Sequence, residues 1–515
     1  MALKPHIYPE GCFFNSLDDI KGRHITVMGL GLNGGGEAAV KFLLKHGAYV
    51  IATDMKTEEQ LKPTIDSIAM DKSIDQSKLT YVLGGHRIED FRDADCVIKN
   101  PGVKIEGNQY LQAASAIETD ISLFLRFTKA PVIAITGSKG KSSTVSAIHY
   151  GLEKAGFRTF LGGNITVSPL TFLDQTDGST PVVLELSSWQ LADLRGRKAL
   201  KPHIALITKI VPDHQNWYHN MSDYIADKKL IFADQTQNDF TIIDADGDPV
   251  GTGPAEGGTW GQVFARETGG KVLKYSQAEL DFSEYGIWQT EDEDGNFCAK
   301  ARIPGKPKDT VILKKISVPG RHMRSNVTNA ALVLYLMGVE PSEIISILSS
   351  WTGIPHRLQY FHSWKNPASG KGIRFYNDSC ATVPEAAAAA SQSFGKPVTF
   401  ITGGTDKGLE FDVLAETLDY QNSGSTPVQG LYLLAGTGTD KLISQLDGKG
   451  IKYEGPFNSL VELFAQLKKD IQDSEKAAYK TDTVVFSPGA TSFGMFTNEF
   501  DRGNKFMSGA KELFR

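Results

Sequence analysis

At 515 residues the chain is long enough for about three domains. With 41% apolar and 22% charged residues it has the balance of an ordinary globular protein rather than a disordered or membrane-embedded one. A net charge of −6 argues against a nucleic-acid-binding face as its main business.

The opening stretch, MALKPHIYPEGCFF, lacks the apolar core of a signal peptide. No later run approaches the ~18 uninterrupted apolar residues of a membrane span. Cys12, Cys96, Cys298 and Cys380 are scattered without a C-x-x-C pair, which suggests neither a zinc site nor a disulfide framework and fits a reducing cytoplasm. The first domain is expected to span residues 1–130. His24 to Leu30 reads as a buried strand, Gly29 to Gly36 as a turn, Glu37 to His46 as a helix, and Tyr49 to Thr53 as a second strand ending at Asp54. Gly29, Gly31 and Gly34 form G-x-G-x-x-G, and Asp54 follows Gly34 by twenty residues. That pattern suits a pyrophosphate on a helix N-terminus with an acidic ribose ligand. A nicotinamide dinucleotide and a nucleotide-sugar diphosphate satisfy it equally. Leu79 to Leu83 and Asp95 to Ile98 supply further strands, the latter ending in Asn100-Pro101-Gly102.

The second domain, expected over 131–355, opens on VIAITGSKGKSSTVSAIHY, from Val132 to Tyr150. A β-branched strand breaks at Thr136-Gly137 and resumes as a helix after Gly140-Lys141-Ser142. The loop reads T-G-x-x-G-K-S, not the standard G-x-x-x-x-G-K-[ST] spacing, but strand, glycine loop and helix are the context a phosphate loop requires. Gly137 and Gly140 let backbone N–H groups turn toward a polyphosphate. Lys141 supplies a point charge, and Ser142 a hydroxyl suited to Mg²⁺. Thr180 to Leu186 is a buried strand carrying Glu185 near its C-terminal end, where a carboxylate is costly unless solvated, paired or metal-bound. His203 to Ile210 is another strand, running into Pro212-Asp213-His214. Lys228 falls on a predicted helix, YIADKKLIF. Residues 241–320 read as a β-rich excursion, followed by two helices and a hinge at Gly353 to Arg357.

The third domain, expected over 356–515, alternates strand and helix again. Its strands are GIRFY, PVTFITGG, QGLYLLAG and Thr483 to Ser487; an alanine-rich helix starts near Pro384, and a final helix follows SPGATSFGMF. Gln421 to Pro427 reads as a short polar loop. Such alternation implies α/β architecture with parallel sheets.

ITGSKGKSS, ELSSWQL, PDH, the helical Y-x-x-x-K, HR, NDSCAT, GGTDKG and SPGATSF occur in one order along essentially the whole chain. In this the sequence resembles the Mur ligase family. The resemblance implies three domains: an N-terminal Rossmann-like UDP-binding domain, a central P-loop ATPase domain, and a C-terminal Rossmann-like domain that closes over the site. It also implies ATP-dependent amide formation between glutamate and UDP-N-acetylmuramoyl-L-alanine in peptidoglycan precursor synthesis. The acyl carboxylate is phosphorylated, and the amine attacks to give a tetrahedral intermediate. Transferred residue by residue, ATP meets Gly137, Ser138, Lys139, Gly140, Lys141, Ser142 and Ser143, with Asn326 at the adenine, Arg357 at the γ-phosphate and Asp378 at the ribose. Ser142 and Glu185 hold one Mg²⁺. His214 and Lys228, the latter as a carbamate, flank a second. Asn33, Gly34 and Asp54 take the uridine diphosphate, and Asn164 the muramoyl-alanine end. Thr382, Lys407 and Ser492 take the glutamate. A monomer is expected. The chain departs from the family pattern at Lys209, Met323, Cys380 and Glu499; the last two lie near the amino-acid pocket and leave D- and L-glutamate both open.

Overall fold

The computed structural model describes residues 14–214, 217–218, 220–306, 308–419 and 428–515, excepting the side chains of Arg321 and His322. Cys12 and the predicted loop at Gln421 to Pro427 lie outside them. Among the described residues the strands form three sheets. No helix there is long and apolar enough to cross a membrane.

The first sheet contains β1 (His24–Met28), β2 (Tyr49–Asp54), β3 (Leu79–Leu83), β4 (Cys96–Lys99) and β5 (Ile117–Glu118). They are all parallel, in the order β3-β2-β1-β4-β5. The order reverses between β1 and β4, where an open α/β sheet presents its ligand crevice. The second sheet contains β6 (Val132–Thr136), β7 (Phe160–Gly163), β8 (Val182–Glu185), β9 (Ile204–Ile207), β10 (Phe240–Asp244), β11 (Lys271–Ser276), β12 (Gly286–Glu291), β13 (Phe297–Arg302) and β14 (Thr310–Leu313), ordered β14-β13-β12-β11-β10-β9-β6-β8-β7. The centre is parallel, and β13 and β14 add an antiparallel edge. β6, β8 and β9 are buried along their whole length, which is why they read as unbroken apolar runs rather than alternating ones. The β-rich excursion therefore extends the second sheet. It also holds a helix, Trp260–Glu267, started by a Thr259–Gln262 capping box that the sequence reading passed over.

The third sheet contains β15 (Gln359–Lys365), β16 (Gly372–Asn377), β17 (Val398–Thr402), β18 (Val428–Leu434), β19 (Glu454–Phe457) and β20 (Thr483–Phe486), ordered β15-β16-β20-β17-β18-β19. β15 is antiparallel to β16, and the rest run parallel.

The chain divides into two compact units. One comprises residues up to 314 together with 325–347, and the other comprises 315–324 and 348–515. Within the first unit one apolar core runs from Phe14 and Ile25 through Phe124 and Val182 to Phe264, joining the first two sheets. Buried ion pairs reinforce the join: Lys99 to Asp193 at 2.7 Å and Arg197 to Glu118 at 2.6 Å. The second unit has a core on each face of its sheet, one around Phe375, Phe486 and Phe514 and one around Phe400 and Leu414.

Candidate active site

The phosphate loop leaves β6 and enters the helix Lys141–Lys154 through Gly140, whose φ is +94°. A Cβ at Gly137 would fall 2.0 Å from Thr208 Oγ1, and one at Gly140 2.4 Å from Asn326 Oδ1, so both positions need glycine. Asn326, buried on the helix Arg321–Leu336, thus packs directly on the loop. The first helical N–H to find a carbonyl is that of Thr144, on Gly140. Those of Lys141, Ser142 and Ser143 have no acceptor inside the helix and form the positive N-terminal end expected for phosphate. The N–H groups of Ser138 and Lys139 instead both donate to Lys209 O, at 3.0 and 3.3 Å. That backbone role does not depend on the side chain, which turns to Asp244 at 2.8 Å. The departure at Lys209 is therefore harmless to the loop.

Lys141 Nζ donates to the carbonyls of Gly137 (2.9 Å) and Ser138 (3.1 Å). Burial lowers its pKa, while Glu185 and Asp213 pull the other way. Lys228 is buried and donates to the same Gly137 carbonyl at 2.8 Å. Burial, with the neighbouring Lys141 charge, holds its pKa well below the usual lysine value. Glu185, at the end of β8, is also buried. Its Oε1 accepts from Asn164 Nδ2 at 3.0 Å, and its Oε2 has no partner among the described residues. An orphaned buried carboxylate oxygen beside two lysines and the first turn of a helix is the donor Mg²⁺ takes alongside a hydroxyl and phosphates. No cluster of three His, Cys, Asp or Glu forms a cage among the described residues, so the protein's own donors are few. Ser142 and Glu185 fit that sparse set.

His214, at φ +52°, is exposed and packs on Trp189 (ring centroids 5.0 Å apart) and on the edge of Tyr224. Lys228 Nζ lies 4.5 Å from the centroid of the same Tyr224 ring. Tyr224 OH reaches Ser138 Oγ at 3.0 Å, tying these residues to the loop. Tyr224 and Asp213 were not singled out from sequence as members of the site. Asp213 accepts from the exposed Lys139 at 3.3 Å and acts on Lys141 and Lys228. Its signal was its place in the loop that follows a buried strand; that of Tyr224 was its i, i+4 spacing to Lys228.

In the glycine turn after β1, Gly31 N–H donates to Asp54 Oδ2 at 2.9 Å, and Lys56 N–H to Oδ1 at 2.9 Å. Asp54 thus braces the turn, while Asn33 is exposed beside Gly34 (φ +83°). Close helix–strand packing falls to Gly36, not Gly34: a Cβ there would meet Leu30 O at 2.3 Å.

In the second unit, Arg357 is exposed in a turn flanked by His356 and Leu358, both at positive φ. Asp378 is buried beneath that turn. Its Oδ1 accepts from Leu358 N–H at 3.0 Å and its Oδ2 from Ser487 Oγ at 2.6 Å. Burial raises its pKa to about 7. Cys380 N–H donates to His356 O at 3.0 Å, and burial pushes its thiol pKa up. Thr382 is half-buried, Lys407 exposed and Ser492 buried, each on a loop following a C-terminal strand end.

Two family models match: a Mur ligase MurD-like N-terminal domain over residues 23–122 and a Mur ligase middle domain over 135–334. The chain is 38% identical to the UDP-N-acetylmuramoylalanine–D-glutamate ligase of Treponema pallidum, across 96% of this chain and 98% of that one. With the ligase of the same name from Borreliella afzelii it shares 37%, across 95% and 98%. Its fold is also that of the UDP-N-acetylmuramate–alanine ligase MurC of Thermotoga maritima, at a TM-score of 0.51 and 16% identity over 95% of this chain and 99% of that one. The chain belongs to the Mur ligase family, with a MurD-like N-terminal domain.

Proposed function

We infer that the chain is an ATP-dependent ligase that joins D-glutamate to UDP-N-acetylmuramoyl-L-alanine in peptidoglycan precursor synthesis. The observation that carries this is the near-full-length identity to relatives named for that reaction, on a chain that keeps Lys141, Glu185 and Lys228 together at the phosphate loop. Those names also favour D-glutamate over L-glutamate and count against the dehydrogenase alternative. The reading divides the work among residues 1–130 for the UDP-sugar, 131–355 for ATP, and 356–515 for glutamate.

A free carboxylate is a poor acyl donor because oxide is a prohibitive leaving group. Phosphorylation by ATP gives an acyl phosphate; the glutamate amine adds to its carbonyl, and the tetrahedral intermediate expels phosphate. The protein's contribution is positioning and charge neutralisation. Lys141 and the helix N-terminus would take the β- and γ-phosphates, Asn326 the adenine, Arg357 the γ-phosphate and Asp378 the ribose. Asn33, Gly34 and Asp54 serve the uridine diphosphate, Asn164 the muramoyl-alanine end, and Thr382, Lys407 and Ser492 the glutamate. Mg²⁺, held by Ser142 and Glu185 with a second ion near His214 and Lys228, would neutralise phosphate charge. Burial favours the neutral amine of Lys228, the form that adds to CO₂ and loses a proton to become a carbamate. A cytoplasmic monomer suits the substrates. The test is phosphate release with UDP-N-acetylmuramoyl-L-alanine, ATP, Mg²⁺ and each glutamate enantiomer. Release with D-glutamate alone is expected; no response to either enantiomer would refute the assignment.

A further inference from the structure

The loop after β4 is braced against the glycine turn of the first sheet. Asn100 N–H donates to Met28 O at 2.9 Å, and a Cβ on Gly29 would fall 2.8 Å from Asn100 Cβ. Gly102 N–H closes the loop on Asn100 Oδ1 at 3.1 Å. Two residues further on, the exposed Lys104 reaches Trp217, in the segment between β9 and the helix Met221–Lys228. Its Nζ lies 3.5 Å from the centroid of that ring, well inside the range of about 6 Å for a cation–π contact.

Trp217 and His214 share one turn, in which Trp217 N–H donates to His214 O at 2.9 Å. The Trp217 ring packs on Trp189 with centroids 4.8 Å apart, and Trp189 meets the His214 ring at 5.0 Å. Trp189 Nε1 is buried with no partner among the described residues, so ring contacts rather than a hydrogen bond orient this indole. Close packing does not fix the pair either, because Lys104, Trp189 and Trp217 border a cavity of about 290 Å³. His214 itself is exposed, at φ +52°. Besides the edge of Tyr224, its imidazole has this stack to hold it, and the outer end of the stack is one ammonium.

We propose that Lys104 and Trp217 are positioning residues: the ammonium pins the outer indole, the paired indoles hold the His214 ring beside the phosphate loop, and the loop that carries Lys104 ties that hold to the glycine turn. That this hold serves ligation rests on the reading of the chain as a ligase; the hold itself does not.

The experiment takes the full chain and its K104M, K104R, W217L, W217F and K104M/W217L variants, with two readouts. The first is phosphate release with UDP-N-acetylmuramoyl-L-alanine, ATP, Mg²⁺ and D-glutamate. K104M should lower kcat by about 2–5-fold, the worth of one exposed cation–π contact. W217L should lower it by about 10-fold or more through misplacement of the imidazole, with KM for ATP unchanged. K104R and W217F keep a cation and an aromatic face and should restore most of the rate. The double variant should match W217L alone, since the ammonium acts through the indole. The second readout needs no turnover: the His214 imidazole resonance in histidine-labelled protein, identified by its loss in H214Q. It should move in K104M and W217L and return toward its wild-type position in K104R. An unmoved resonance in W217L overturns the proposal, as does an unchanged kcat in that variant, or a double variant that shows the full product of the two single losses. Should W217L not fold, K104M decides alone, because its side chain lies outside the core; an unmoved resonance or an unchanged kcat there overturns the proposal. Should the wild type release no phosphate with either glutamate enantiomer, the ligase reading falls, and the resonance still decides whether Lys104 and Trp217 position His214.

Discussion

Asp378→Asn isolates one buried charge. The Asp378 carboxyl has a pKa of about 7 against 3.8 in the unfolded chain, because burial outweighs its bonds from Ser487 and Leu358. A raised acid pKa means that between those values the folded chain binds more protons than the unfolded one. Stability from this group is therefore greatest at low pH and falls as pH rises from about 4 to about 7. About three pKa units correspond to roughly 4 kcal/mol in full, of which about 2–3 kcal/mol is lost between pH 5 and pH 8. Asparagine can accept from Leu358 and donate to Ser487, so the turn around Arg357 should survive without the charge. Urea unfolding of both proteins at pH 5, 6, 7 and 8 is the assay. The wild type should lose about 2–3 kcal/mol relative to the variant across that range, since titrations common to both cancel. A wild-type-minus-variant difference that stays flat from pH 5 to pH 8 would refute the buried-charge argument.

Lys228→Ala should lower ligation by about 100-fold or more and be partly rescued by short-chain carboxylates that replace a lost anionic oxygen; full activity in the variant would discard the carbamate. Gly140→Ala forces a side chain into left-handed backbone against Asn326, and should cost about 1–2 kcal/mol in thermal unfolding while weakening binding of an ATP analogue. Glu118→Ala leaves the nearly buried Arg197 and the half-buried Arg126 without their shared carboxylate, and should destabilise the first unit by about 3–5 kcal/mol in chemical denaturation. A loss near zero there would mean the pairs add nothing to the join between the first two sheets.

The parallel strands of the three sheets were legible because buried parallel strands read as apolar runs, and because each glycine loop sits between such a run and a helix. By itself the sequence determined the phosphate loop around Lys141, the strand-end Glu185 and the family, since these are local strings whose chemistry requires particular residues at fixed spacing. Asp54 was legible as an acid at a strand end and Asp378 through the family resemblance, but not their bonds: one braces Gly31, the other holds the turn at Leu358. Tertiary structure alone decided that Glu185 gives one oxygen to Asn164 and keeps the other without a partner among the described residues, and that Lys228 shares a carbonyl with Lys141. It alone decided, too, that Arg502 gathers loops more than a hundred residues apart in sequence. Hydrogen bonds and burial between distant segments leave no periodicity in the chain, and they appear only when the sheets are assembled.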